Sequence, residues 1–116
     1  EYGGKVIGFA PALVIGKKLI RSGVDALVIE GAEAGGHIGP VTTSVLAQEI
    51  LPAIRDVPVF VAGGIGRGEA MVAYLEMGAA GVQLGTRFVC ATVLPIQNSR
   101  NPSSVRARVM PCLPCR

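Results

Sequence analysis

The sequence predicts an α/β fold with a parallel sheet, and three observations carry that prediction. Short, apolar, β-rich runs alternate with amphipathic helical stretches, the pattern of consecutive βα units. Two of the runs, Ala26-Leu27-Val28-Ile29 and Pro58-Val59-Phe60-Val61, are continuous in apolar residues, as strands buried on both faces must be. Finally, Arg21-Ser22-Gly23-Val24-Asp25-Ala26 and Glu76-Met77-Gly78-Ala79-Ala80-Gly81 repeat one join, from a helix end through a glycine into a strand.

Taken in order, Lys5 to Phe9 reads as the first strand. Ala12 to Ser22 follows as a helix with Leu13, Ile15, Leu19 and Ile20 inward, and Gly23 closes it. Ala26 to Ile29 is the second strand, and a glycine-rich loop runs from Glu30 to Val41. Thr42 or Thr43 then caps a helix that carries Val45, Leu46, Ile50 and Leu51 on one face, with Pro52 near its end. Pro58 to Val61 is the third strand, Arg67 to Met77 the third helix, and Gly81 to Leu84 the fourth strand.

Composition narrows the classes of function. In 116 residues, 50% hydrophobic and 16% charged content describes a folded chain with a core, and no apolar run is long enough for a membrane span. The net charge of +3 belongs to the end of the chain: Arg100, Arg106, Arg108 and Arg116 lie beyond Thr92, and without them 7 basic residues face 8 acidic ones. No aromatic residue interleaves with these arginines, so nucleic acid is not an expected partner. Cys90 reads as a small buried hydrophobe. Cys112 and Cys115 form a lone CxxC without further ligands, and no metal is expected. Nothing points to an oxidising compartment, and a cytoplasmic location is the expectation. The chain opens on Glu1 with neither Met nor a secretory signal, which reads as a start internal to a longer protein.

In a parallel sheet, chemistry belongs on the loops that follow the strands. After the third strand, Ala62-Gly63-Gly64-Ile65-Gly66-Arg67-Gly68 allows close backbone approach to a phosphate before a helix N-terminus; it matches neither a Rossmann fingerprint nor a P-loop. After the fourth, Gln83-Leu84-Gly85-Thr86-Arg87-Phe88 offers a second small-residue turn and a hydroxyl. Paired phosphate loops on consecutive units are characteristic of the last two strands of a (β/α)₈ barrel, which makes this chain a partial barrel of about four βα units, strands 5 to 8. After the second strand, Gly31-Ala32-Glu33-Ala34-Gly35-Gly36-His37-Ile38-Gly39-Pro40 sets the single histidine among glycines at the same rim, where an imidazole can exchange a proton near neutral pH. Glu33 reads as a surface or helix-orienting carboxylate, and Glu30 is ambiguous.

These loops together resemble the nitronate monooxygenases, formerly called 2-nitropropane dioxygenases. The resemblance lies in Glu33-Ala34-Gly35-Gly36-His37, Ala62-Gly63-Gly64-Ile65, Gly78-Ala79 and Gln83-Leu84-Gly85-Thr86-Arg87-Phe88, and runs from about Lys5 to Thr92. It implies an FMN-dependent flavoprotein that oxidises nitroalkanes or nitronates with oxygen to a carbonyl compound and nitrite. His37 would be the catalytic base; Gly36, Gly63, Gly64, Gln83, Gly85 and Thr86 would contact the cofactor. The flavin-dependent enoyl-acyl-carrier-protein reductases share a Gly-Gly-His-Ile-Gly loop, here Gly35-Gly36-His37-Ile38-Gly39, and are the alternative. A third reading is a non-enzymatic fragment that binds phosphate or flavin.

Two departures from the family pattern shape the domain expectation of a half-barrel over residues 1–92 and an irregular, basic, proline-rich tail over 93–116. The four βα units that would precede Glu1 and cover the flavin ring are missing, so the chain alone is expected to turn over little and to self-associate or meet a partner half. Past Thr92, Pro95, Pro102, Pro111 and Pro114 interrupt any helical period, and codons permitted for Leu94 to Met110 spell a family-like helix in another frame, so a frameshifted tail is expected.

Overall fold

The computed structural model describes residues 3–36 and 38–89. Cys90, the CxxC and the whole basic tail, with its frameshift reading, lie outside the described residues, as does His37. Four parallel strands, β1 (Ile7–Ala10), β2 (Ala26–Glu30), β3 (Val59–Ala62) and β4 (Gly81–Gln83), stand in the order β1-β2-β3-β4. Between them run α1 (Leu13–Arg21), α2 (Thr43–Ala53) and α3 (Gly68–Glu76), and a short α4 (Thr86–Val89) follows β4. The α/β class and parallel sheet are as read from the sequence.

Strand register sorts the side chains onto two faces, because successive residues point opposite ways. Ala10, Ile29, Val61 and Val82 fall on one cross-strand row, with Leu27 and Val59 on another of the same face. This is the helix side, where Leu27, Ile29 and Val61 are fully buried against Leu46, Ala47 and Ile50 of α2. Removing these side chains from water is the main driving term of the fold, at about 1.5–3 kcal/mol for each large one. The other face carries Ile7, Phe9, Val28 and Phe60. Val28 is shielded there between its cross-strand neighbours Phe9 and Phe60, whereas Ile7 and Phe9 are each 53% exposed.

Two of the predicted inward positions are corrected. Ile15 of α1 is exposed, and Gly16 occupies the contact instead: a Cβ there would lie 3.1 Å from Ile54 and 3.5 Å from Leu27. Gly16 shares a stripe with Leu13, Leu19 and Ile20, and its lack of a side chain lets α1 settle close to the sheet. In α2, Val45 is exposed, and the buried stripe is Thr43, Leu46, Ala47, Ile50 and Leu51, the i, i+3, i+4, i+7, i+8 spacing of one helical face. The helix boundaries also tighten by one residue at α1 and α3, which end ahead of Gly23 (φ +89°) and Gly78 (φ +102°).

At the amino-terminal edge of the sheet, the Asp25 carboxylate accepts a hydrogen bond from Lys5 Nζ at 2.8 Å and another from the Val6 N–H at 2.8 Å. The contact pins the entry of β1 to the start of β2. Among the described residues no helix is long and apolar enough to cross a membrane, and no group of three or more potential ligands could hold a metal.

Candidate functional site

Because all four strands are parallel, the loops leaving β2, β3 and β4 emerge at one end of the sheet. There they line a single cleft of about 700 Å³. Six of the residues expected at a cofactor site, Gly36, Gly63, Gly64, Gln83, Gly85 and Thr86, all lie on its wall. Ala34, Gly35, Ile65 and Arg87, which belong to the same motifs but had no role assigned, join them, as do Glu30 and Glu33.

The β3 turn takes a conformation that its sequence requires. Gly63 and Gly64 both have left-handed backbone angles, φ +96° and +72°, which cost an L side chain about 1–2 kcal/mol each. Space is also closed on one side: a Cβ on Gly63 would lie 3.0 Å from the Ala34 nitrogen, and one on Gly64 3.2 Å from Glu33 Cβ. The β3 turn therefore rests directly on the β2 loop. Gly36, Gly66 and Gly85 differ. None has a left-handed angle, and among the described residues none has a neighbour within 4 Å of where a Cβ would stand, which leaves open space beside them on the cleft wall.

The third wall begins at Gln83, the last residue of β4, and turns through Gly85 into α4. The Gly85 carbonyl accepts hydrogen bonds from the N–H groups of Phe88 (2.9 Å) and Val89 (3.3 Å), which fixes the turn that carries Thr86. Four residues are too few to show a helical period, so α4 is not among the elements expected from the sequence.

The β2 loop is closed at its base by backbone bonds. Ala32 N–H donates to the Val41 carbonyl at 2.7 Å, and the N–H groups of Ala34 and Gly39 donate to the Gly31 carbonyl at 3.2 and 3.3 Å. Gly31 packs so tightly against Thr43 that a side chain there would collide with the backbone. Nearer the tip, Glu33 Oε2 accepts hydrogen bonds from the Thr43 N–H at 2.7 Å and from the Thr43 hydroxyl at 2.9 Å. These bonds hold the Glu33 carboxyl below its usual range, the Thr43 N–H foremost, against a desolvation that pushes it up. The helix-orienting reading of Glu33 thus matches its contacts, whereas Thr42, at the N-cap position, makes no side-chain capping bond. Glu33 in turn raises the Tyr74 phenol, after the larger effect of burial.

Glu30, left ambiguous by the sequence, ends β2 on the face opposite the helices. It pairs in register with Ala62, and Ala62 with Gln83. With Phe9, Ala10, Pro11 and Gln83 it also borders a second, neighbouring recess of about 550 Å³.

The loops that make this cleft match known proteins. The family model described as Nitronate monooxygenase matches residues 5–102, past Thr92 where the resemblance had been expected to end. A curated relative from Rhodococcus jostii, (3aS,4S,5R,7aS)-5-hydroxy-7a-methyl-1-oxo-octahydro-1H-indene-4-carboxyl-CoA dehydrogenase, is 44% identical over 90 residues. That match takes in 78% of this chain and 24% of the relative. Among solved structures, FabK from Thermotoga maritima is 43% identical with a TM-score of 0.72, over 78% of this chain and 29% of that one. Nitroalkane oxidase from Streptomyces ansochromogenes is 32% identical with a TM-score of 0.69, over 75% of this chain and 28% of that one. The matched part of the chain therefore spans 24–29% of the length of these proteins. The FabK likeness accords with the kinship to enoyl-acyl-carrier-protein reductases read from the histidine loop. With five-sixths of its length inside the family model, the chain belongs to the nitronate monooxygenase family.

Proposed function

We propose that this chain supplies the FMN-phosphate end of a flavin barrel, as strands 5 to 8, and that the whole protein oxidises alkyl nitronates or nitroalkanes with oxygen to a carbonyl compound and nitrite. The observation that carries the reading is the open side-chain space at Gly36, Gly66 and Gly85. Nothing among the described residues fills it, and these glycines line a cleft of a size suited to a cofactor. The donor set fits a phosphate: backbone N–H groups of the Gly63-Gly64 and Gly85-Thr86 turns and the Thr86 hydroxyl.

In this reading Gly63, Gly64, Gly85 and Thr86 hold the phosphate, Gly36 borders the cofactor, and Gln83 lines the approach to it. His37, from the same loop as Gly36, takes the α-proton of a nitroalkane or orients a nitronate. Bound flavin supplies the electron acceptance that the side chains lack. The family match and the nitroalkane oxidase likeness support the nitronate assignment. Titrating FMN into the chain, and measuring nitrite release by the whole protein and its His37→Ala variant, tests the reading. Absence of FMN binding, or nitrite release undiminished by His37→Ala, would sink it.

A second reading, reduction of an enoyl thioester, is favoured by Ile38 after the histidine and by the FabK likeness. Thioester turnover with a nicotinamide donor and no nitrite release separates it from the first. A protein that binds FMN and turns over neither substrate class fits the non-enzymatic reading.

A further inference from the structure

We propose that Glu33 is a positioning residue, whose carboxylate ties the β2 loop to the start of α2 and thereby sets the cleft wall formed by Gly63 and Gly64. The ligand in this proposal rests on the flavin reading above; the tether itself rests on geometry. Thr43 is the first residue of α2, and both of its donors go to a carboxylate ten residues upstream. Thr43 is only 1% exposed, and its hydroxyl also lies 3.4 Å from the carbonyl of Ala62, the last residue of β3. The carboxylate and the threonine thus join the β2 loop to α2, and the threonine hydroxyl lies against the last carbonyl of β3. The glycine turn follows Ala62 directly and leans on the backbone of Ala34 and the side chain of Glu33. Displacement of Glu33 therefore removes the support beneath the turn.

Charge gives the proposal a sign that can be read. A carboxylate on the wall of a phosphate cleft repels its ligand unless the charge is engaged elsewhere. Here the amino terminus of α2 engages it. A Glu33→Gln variant keeps the size of the side chain and deletes the charge, so electrostatic relief alone predicts tighter FMN binding. A positioning role predicts the opposite.

The test titrates FMN into the 116-residue chain and its Glu33→Gln, Thr43→Ser and Thr43→Val variants, while NMR follows the amide resonances of Thr43, Gly63 and Gly64. Expected is about tenfold weaker FMN binding by Glu33→Gln, the scale of one lost charge-assisted hydrogen bond, with displaced Gly63 and Gly64 amides. Thr43→Ser, which keeps the hydroxyl, retains affinity; Thr43→Val weakens it. Should Thr43→Val unfold, the exposed Glu33→Gln position decides. Tighter FMN binding by Glu33→Gln, or unmoved Gly63 and Gly64 amides, overturns the proposal. If the wild-type chain takes up no FMN, the flavin reading fails, and the amides alone decide the tether: displacement supports it, and none overturns it.

Discussion

Gly35 and Thr86 meet across the mouth of the cleft: a Cβ on Gly35 would stand 4.0 Å from the Thr86 hydroxyl oxygen. The loop after β2 and the turn after β4 are thus neighbours in space although β3 lies between their strands. Thr86→Val keeps the shape of the turn and deletes the hydroxyl. It is expected to weaken FMN binding about tenfold or more, the worth of one hydrogen bond to a charged group, with little change in thermal midpoint. Unaltered affinity in a fluorescence titration would remove Thr86 from the phosphate site.

The glycines of the cleft divide into two kinds, and substitution separates them. Gly85→Leu places a side chain in space that none of the described residues occupies, so the fold should persist while FMN binding is lost. Gly63→Ala forces a left-handed angle on alanine and crowds the Ala34 nitrogen at 3.0 Å, and should cost about 1–3 kcal/mol of stability by urea denaturation. Equal stability losses at the two positions would contradict this division.

The packing of α2 on the sheet is the main mechanical support of the site. Ile50 and Leu27 are both fully buried in the same cluster. Truncating either to alanine should cost about 2–5 kcal/mol, read as a lower urea midpoint with a similar m-value. Val45→Ala on the exposed face of the same helix should change stability by less than about 0.5 kcal/mol.

The Glu33 carboxyl is held below the ordinary 4.5 of a glutamate, so its ionised form is bound more favourably in the folded chain than in the unfolded one. Its contribution is fully present above that value and is lost as pH falls through the lower, folded value. Thermal midpoints measured from pH 6 downward should therefore show a loss beginning near pH 4.5, smaller in Glu33→Gln. A wild type and variant with parallel pH profiles would show that the Thr43 contact contributes nothing to stability.

The face of the sheet opposite the helices leaves Ile7 and Phe9 half exposed beside Phe60. Apolar area of this kind favours association. The chain should sediment as more than a monomer at micromolar concentration, and Phe9→Lys should shift it toward monomer. A monodisperse wild-type monomer would count against this.

Much of the fold was legible because buried parallel strands leave an unambiguous trace: β2 and β3 are continuous apolar runs and were placed within a residue of their bounds. Convergence of the three loops was legible for a related reason, since parallel strands force every following loop to one end. What escaped was packing detail that hydrophobicity does not encode. Ile15 looked inward because it is apolar, yet the contact belongs to Gly16, whose value is its absence of side chain. The Glu33–Thr43 bonds escaped because the loop's own folding, and no helical spacing, brings residues ten apart together. The assignment of His37 continues to rest on its motif.

The strand order has a consequence for how such a chain folds. Each strand pairs with the strand of the next unit, and none reaches past a neighbour to a distant part of the chain. Stability is then distributed as in a short repeat array, a series of unit-to-unit interfaces whose loss at one end does not dissolve the other. A nucleus formed by β2, α2 and β3 can grow outward in both directions, and the end strands open first. Hydrogen exchange should accordingly rise from the centre of the sheet toward β1 and β4.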